Sequence, residues 1–177
     1  MAPLLINIVS FQAGWFASVL GAAAGSSWLG PAVVLPLAAF HLVRAGDRRA
    51  ESSLLVASGV AGILAETAMI AAGFYDPAVS PFPPPLAPPW LVAMGVNFGT
   101  TLSVSLRVLE ERPGLAALLG AVAGPAAYLA GERLGAVRFA DPRWPGILAL
   151  AVLWAAAVPG LFLLRKRLFY SSRRPKR

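Results

Sequence analysis

Residues 145–164 read PGILALAVLWAAAVPGLFLL, twenty residues without a charge, and the next three are Arg165, Lys166 and Arg167. At 1.5 Å per residue such a run crosses the roughly 30 Å hydrocarbon core of a bilayer. An abrupt basic flank is what the cytoplasmic side of a membrane segment carries. This stretch therefore sets both the solvent and the direction of the chain.

The composition agrees. Of 177 residues, 58% are hydrophobic and only 13% charged, and the mean hydropathy is +0.70. A soluble domain averages about 25% charged residues, so lipid is the solvent that makes this composition sensible. The net charge of +7 is concentrated, because seven of the fifteen basic residues lie between Arg165 and Arg177. That pattern marks a membrane flank able to meet anionic lipid, and no nucleic-acid partner is expected. Without cysteine there are no disulfides or thiolate sites. With His41 as the single histidine a conventional zinc site is excluded, so no metal and no cofactor is expected.

Working outward from residues 145–164, five more apolar runs are legible at about 4–25, 28–44, 53–74, 88–107 and 114–137. The fold class is all-α, a polytopic six-helix transmembrane bundle. A single domain covers 1–164, and a basic cytoplasmic tail covers 165–177. The first run ends in Ala22-Ala23-Ala24 like a secretory signal, but it lacks the positive start of one and is expected to remain as a span. Residues 75–87 hold Pro77, Pro81, Pro83, Pro84 and Pro85, which predicts a stiff loop and not a helix. With the amino terminus inside, the cytoplasmic segments carry Arg44, Arg48, Arg49, Arg107, Arg112 and the seven tail residues. The external ones carry Arg133, Arg138 and Arg143. Twelve against three selects an N-in, C-in topology, and Trp28, Tyr75, Trp90 and Trp144 would then form an outer aromatic rim.

Helices in lipid associate through small residues and a few hydrogen bonds. Gly120, Gly124, Tyr128, Gly131 and Gly135 fall within an arc of roughly 80°, a groove for a neighbouring helix. Gly14, Ser18, Gly21 and Gly25 do the same in the first span, and Ser58 and Gly62 in the third. Pro36, Pro125 and Pro159 are expected to bend their spans.

The candidate site is built from polar residues at depth. Glu66 continues the Ser58–Gly62 face near the middle of the third span, where an ionised carboxylate costs on the order of 3 kcal/mol. Asn97, Thr100, Thr101 and Ser105 form a polar stripe of roughly 140° on the fourth span. Threonine and serine in such helices often bond their own backbone. A cavity between the third and fourth spans would be lined by Glu66, Asn97 and Thr101, with Gln12 as the deeper polar residue of the first span. Asn7 lies about 140° from Gln12 and cannot share its face. Tyr128 and Glu132 border the glycine face, while Arg133 reaches the interface. His41 is placed at the cytoplasmic end of the second span, close to headgroups. No phosphate loop, paired-carboxylate metal motif or serine elbow is present.

The segments Phe11-Gln12-Ala13-Gly14-Trp15-Phe16, Phe40-His41, Pro89-Trp90, Gly124-Pro125-Ala126-Ala127-Tyr128, Gly131 and Arg133-Leu134-Gly135-Ala136 resemble a bacterial family of small inner-membrane proteins known as domain of unknown function 2878. The resemblance runs over nearly the whole chain and departs mainly in the proline-rich loop and the basic tail. It implies a multi-pass protein of a bacterial inner (cytoplasmic) membrane and brings no catalytic residue. Three functions fit: transport or solute binding at a midplane polar site, an enzyme acting on lipids or apolar metabolites through Glu66 or Glu132, and a non-catalytic assembly subunit with a membrane-protein partner.

Overall fold

The computed structural model describes residues 1–172, so Arg173, Arg174, Lys176 and Arg177 of the basic tail lie outside the described residues. Six α-helices follow one another: α1 (Ala2–Ala23), α2 (Leu29–Arg44), α3 (Arg48–Ala71), α4 (Pro89–Leu102), α5 (Pro113–Arg133) and α6 (Trp144–Ser172). Two short strands, β1 (Tyr75–Pro77) and β2 (Val137–Phe139), pair antiparallel with Tyr75 opposite Phe139. Successive helices run in opposite directions, so the bundle has a ribbon end, marked by β1 and β2, and a tail end, marked by the carboxyl end of α6. Four helices, α1, α3, α5 and α6, are long and apolar enough to cross a membrane. Large apolar side chains face outward, with Leu64 67% and Leu118 61% exposed. A water-soluble surface does not tolerate that pattern around its whole girth. The fold is the expected all-α membrane bundle.

The helix limits differ from the apolar runs for identifiable reasons. α3 begins at Arg48, a turn and a half before Ser53, because Asp47 caps it by accepting from the Ala50 amide at 3.0 Å. The run at 88–107 yields a helix of 14 residues that stops at Leu102. Ser103, Val104 and Ser105 follow, residue types that compete with or crowd the helical backbone. α5 stops at Arg133, four residues early, because Gly135 turns left-handed at φ 86°. The amides of Gly135 and Ala136 then close back onto the carbonyls of Glu132 and Gly131. α1 and α3 end at the same side with the same closure through Gly25 and Gly73. α6 continues two turns beyond Leu164, since Arg165 and Lys166 find Glu110 and Glu111 as partners. Residue 165 is thus part of the bundle and not of a free tail.

Small residues set the contacts. Gly95 of α4 lies against Gly62 and the Ser58 carbonyl of α3, so close that a Cβ at Gly95 would stand 2.9 Å from that oxygen. On α5, Gly120 and Gly124 receive Trp154 of α6, where a Cβ at either would meet Trp154 at 2.4 Å. The glycine face of α5 is therefore an interhelical groove, as its spacing predicts, although Gly135 belongs to the turn. On α1, Ser18 sits against Gly30 of α2. Gly25 has open space around it and serves the turn. Pro36, Pro125 and Pro159 all lie inside helices.

Two apolar cores stabilise the ends. The ribbon-end core joins Val19, Met69, Tyr75, Trp90, Val137 and Leu150. The tail-end core joins Leu54, Leu102, Leu109, Ala116, Val158 and Phe162. The aromatic rim is therefore smaller than expected. Trp28 and Trp144 are exposed at the ribbon end, whereas Tyr75 and Trp90 are 1% and 2% exposed inside the core. The ribbon draws Tyr75 inward, and the Trp90 indole donates to the Val79 carbonyl at 3.3 Å.

Candidate functional site

Charged residue types are buried in two places. At the ribbon end, Glu66 of α3 accepts from Tyr75 on β1 at one oxygen and from Tyr128 on α5 at the other. The phenol rings lie 5.5 Å apart, and Phe139 closes the far side of Tyr75 at 6.0 Å. Both carboxyl oxygens are occupied and no cation takes part among the described residues. The sequence stripe that led to Glu66 is correct, but its depth is not. Glu66 lies five residues from the end of α3, in the ribbon half. Taking the Gly62–Gly95 contact as a common level, Glu66 stands four residues toward the ribbon and Asn97 two toward the tail. The separation is about 9 Å along the axis, so the two do not meet.

Asn97 instead turns to α1. Its amide nitrogen donates to the Phe11 carbonyl at 2.9 Å and packs against Gly14. One turn nearer the tail, Asn7 donates to the Thr100 carbonyl at 3.0 Å and accepts from the Ser105 amide at 3.3 Å. α4 leaves its last carbonyls unpaired when it stops short, and Asn7 satisfies one of them from another helix. Thr100 and Thr101 return their hydroxyls to the Asn97 and Phe98 carbonyls at 2.7 and 2.6 Å, as expected of such residues. Gln12 is exposed on the outer surface of α1 while Asn7 is buried. Of that pair, the residue nearer the amino terminus is the interior one. Glu132 stays at the ribbon, accepting from the Phe139 amide at 3.2 Å and pairing with Arg143 at 3.4 Å.

The second polar cluster lies at the tail end and was not among the candidate residues. Glu51 of α3, 2% exposed, holds His41 Nε2 of α2 at 2.7 Å and accepts from the Ser103 hydroxyl at 2.8 Å. Ser103 in turn accepts from Arg165 Nε of α6 at 3.0 Å, and Arg165 Nη1 donates to Glu110 at 2.7 Å. Arg165, 7% exposed, also lies over the Phe169 ring at 4.6 Å. This relay ties α2, α3, α6 and the turns after α4 together. One signal for it exists in the sequence. Glu51 stands seven residues before Ser58 and so on the same helical face, a relation concealed when the span is begun at Ser53.

The relay forms one wall of a pocket of 420 Å³ that opens at the tail end. Pro3, Ile6, Asn7 and Ser10 face it from α1, and Leu37, Phe40, His41 and Arg44 from α2. Both sets follow the i, i+3, i+4, i+7 spacing of a single helical face. The helices touch at the ribbon end, where Ser18 meets Gly30 and Leu29 meets Gly21. They part toward the tail, where the pocket lies. Asn97 and Thr100 form its deep end. The size falls within the range of about 300–1,000 Å³ usual for small-molecule sites.

Apolar girth and six antiparallel helices define a helical membrane bundle, with a partly polar pocket at its tail end. More particularly, the chain belongs to the family described as protein of unknown function (DUF2878), whose profile matches residues 4–160. No curated protein and no solved structure matches it.

Proposed function

We propose that this protein is a solute-binding membrane carrier of a bacterial inner membrane, with both chain ends in the cytoplasm and its ligand held in the tail-end pocket. One observation carries the reading. The pocket runs from a charged rim as far as Asn97, while Glu66, Tyr75, Tyr128 and the ribbon fill the opposite half. A polar site near mid-depth, reached from one side at a time, is the arrangement that alternating-access carriers use. The orientation is supported by the twelve-to-three distribution of basic residues. The basic tail gives anionic lipid a place to bind at the same side.

The chain has no cysteine, so single-cysteine variants report accessibility directly. Ser10→Cys, in the pocket wall, is expected to react with a membrane-impermeant maleimide faster from the cytoplasmic side than from the outside. Asp141→Cys at the ribbon is expected to react from the outside alone. Reaction of Ser10→Cys from neither side, or faster from the outside, would remove the cytoplasmic opening of the pocket and the carrier reading with it.

A second reading, an enzyme acting on apolar metabolites, is favoured by His41 and Glu51. A carboxylate that orients an imidazole beside a pocket is the arrangement of a general base. Glu66 and Glu132 do not serve that reading, since neither faces the pocket. Loss of turnover in His41→Gln with ligand binding retained would move the assignment to this class.

A further inference from the structure

We infer that the tail-end pocket takes an anionic amphiphile, a carboxylate or phosphate head on an apolar body, with Arg44 and Arg107 holding the head at the rim. The inference rests on the proposed function only in taking the pocket as a ligand site.

Charge is the first argument. Three arginines line the pocket, Arg44, Arg107 and Arg165, with two carboxylates, Asp47 and Glu51; since Glu110 balances Arg165, the arginines left equal the carboxylates, and what decides is which groups already have partners. The carboxylates are already engaged. Glu51 has His41 at one oxygen and Ser103 at the other, and Asp47 caps α3. Arg165 is committed to Glu110 and Ser103. Among the described residues no salt bridge involves Arg44 or Arg107. Arg44 is steadied over the Phe40 ring at 5.3 Å, which orients its guanidinium without neutralising it. Two uncommitted guanidinium groups on one rim form a receptor for a carboxylate or phosphate, whose planar or tetrahedral oxygens a guanidinium fork matches.

Shape and polarity supply the second argument. Below the rim the walls alternate in character. Ile6, Leu37 and Phe40 are apolar, whereas Asn7 and Thr100 have their side-chain groups bonded to backbone. A ligand carrying many hydroxyls or amides would find few free partners there, and unpaired polar groups disfavour binding. An apolar body would meet ordinary contacts. Ile6 and Phe40 keep much of their surface uncovered, so the apolar part of the wall has area to offer a ligand. A ligand with a charged head and a greasy body matches both parts of the pocket, and neither part alone.

The test uses the full chain in phosphatidylcholine nanodiscs, with empty discs as background. Four probes separate the contributions: decanoate, decyl phosphate, decanol and inorganic phosphate. Decanoate and decyl phosphate are expected to bind saturably by calorimetry, and whichever binds more tightly assigns the head. Decanol should bind at least about 10-fold more weakly, the loss expected when a charged hydrogen bond is removed, and inorganic phosphate at least about 10-fold more weakly because it has no apolar body to bury. Arg44→Gln and Arg107→Gln should each weaken decanoate or decyl phosphate by a similar factor. Arg138→Gln, on the ribbon, should not. Equal binding of decanol and decanoate would overturn the inference. So would a doubly substituted Arg44→Gln/Arg107→Gln protein that keeps its melting temperature and its affinity. Saturable decanoate binding without flux in proteoliposomes would retain this ligand class and remove the carrier. Absence of any saturable binding, with Ser10→Cys still labelled faster from the cytoplasmic side, would remove the ligand class and leave the pocket.

Discussion

At the ribbon end one carboxylate, Glu66, meets two phenols and, among the described residues, no cation, and the Tyr75 ring packs against those of Tyr128 and Phe139. At the tail end another carboxylate of the same helix, Glu51, meets an imidazole and a hydroxyl, beyond which lie an arginine and a second carboxylate. The two acids are fifteen residues apart on one face of α3 and have opposite surroundings. The first arrangement is compact and closed, so its hydrogen bonds fix helix against ribbon. The second brings an arginine and two carboxylates together beside a pocket. Buried ions are tolerated only when each is paired and hydrogen-bonded, and the relay meets that condition by drawing on several elements. A polar group in a membrane bundle is therefore poor evidence of function by depth alone. Its partners and its access to a cavity decide.

The comparison can be tested at each end. The largest effect is expected at Arg165→Ala, which leaves Glu110 without its partner and Ser103 without its donor. Breaking a buried pair costs about 3–5 kcal/mol. Thermal unfolding in nanodiscs should show a large drop, and a negligible one would mean that the relay is not a structural tie. Next comes Gly120→Ala, whose new Cβ would stand 2.4 Å from the Trp154 carbonyl. Overpacking of this kind costs about 1–3 kcal/mol, and unchanged stability would show that α5 slides freely on α6. Tyr128→Phe removes one donor to Glu66. Interhelical hydrogen bonds in membranes contribute about 1 kcal/mol, so a modest loss is expected, with ligand affinity at the tail end unchanged. A change in pocket affinity would couple the two ends and erase the contrast drawn here. Gln12→Leu, on the exposed face of α1, should alter stability by no more than about 0.5 kcal/mol and leave binding intact.

The helices were legible because each is a long apolar run, and the packing faces because glycines recur at helical spacing. Ser58, Gly62 and Glu66 do share a face, and Gly120 and Gly124 do receive a neighbour. Other features leave no local signal. A three-residue strand such as Tyr75–Pro77 is too short for a period and lies inside a proline-rich loop. Arg165 and Glu110 are fifty-five residues apart in sequence, and nothing near either announces the other. Asn7 has no such signal, because the end of a helix looks less buried than its middle. Its importance comes from α4 stopping short, which the apolar run at 88–107 does not reveal.

That short helix has an electrical consequence. Fourteen residues of α4 extend only about 21 Å, against a hydrocarbon core of roughly 30 Å. Beyond Leu102 the chain turns through residues 103–112 beside the tail-end pocket, whose lining reaches Asn97. In a polarised membrane, voltage falls across insulating material and hardly at all across a polar vestibule. If the pocket is the aqueous vestibule of the proposed carrier, the field would be concentrated between Asn97 and the ribbon, over a partition thinner than the bilayer. A charge crossing that partition would feel most of the membrane potential, about 2.3 kcal/mol per 100 mV, within a few turns of helix.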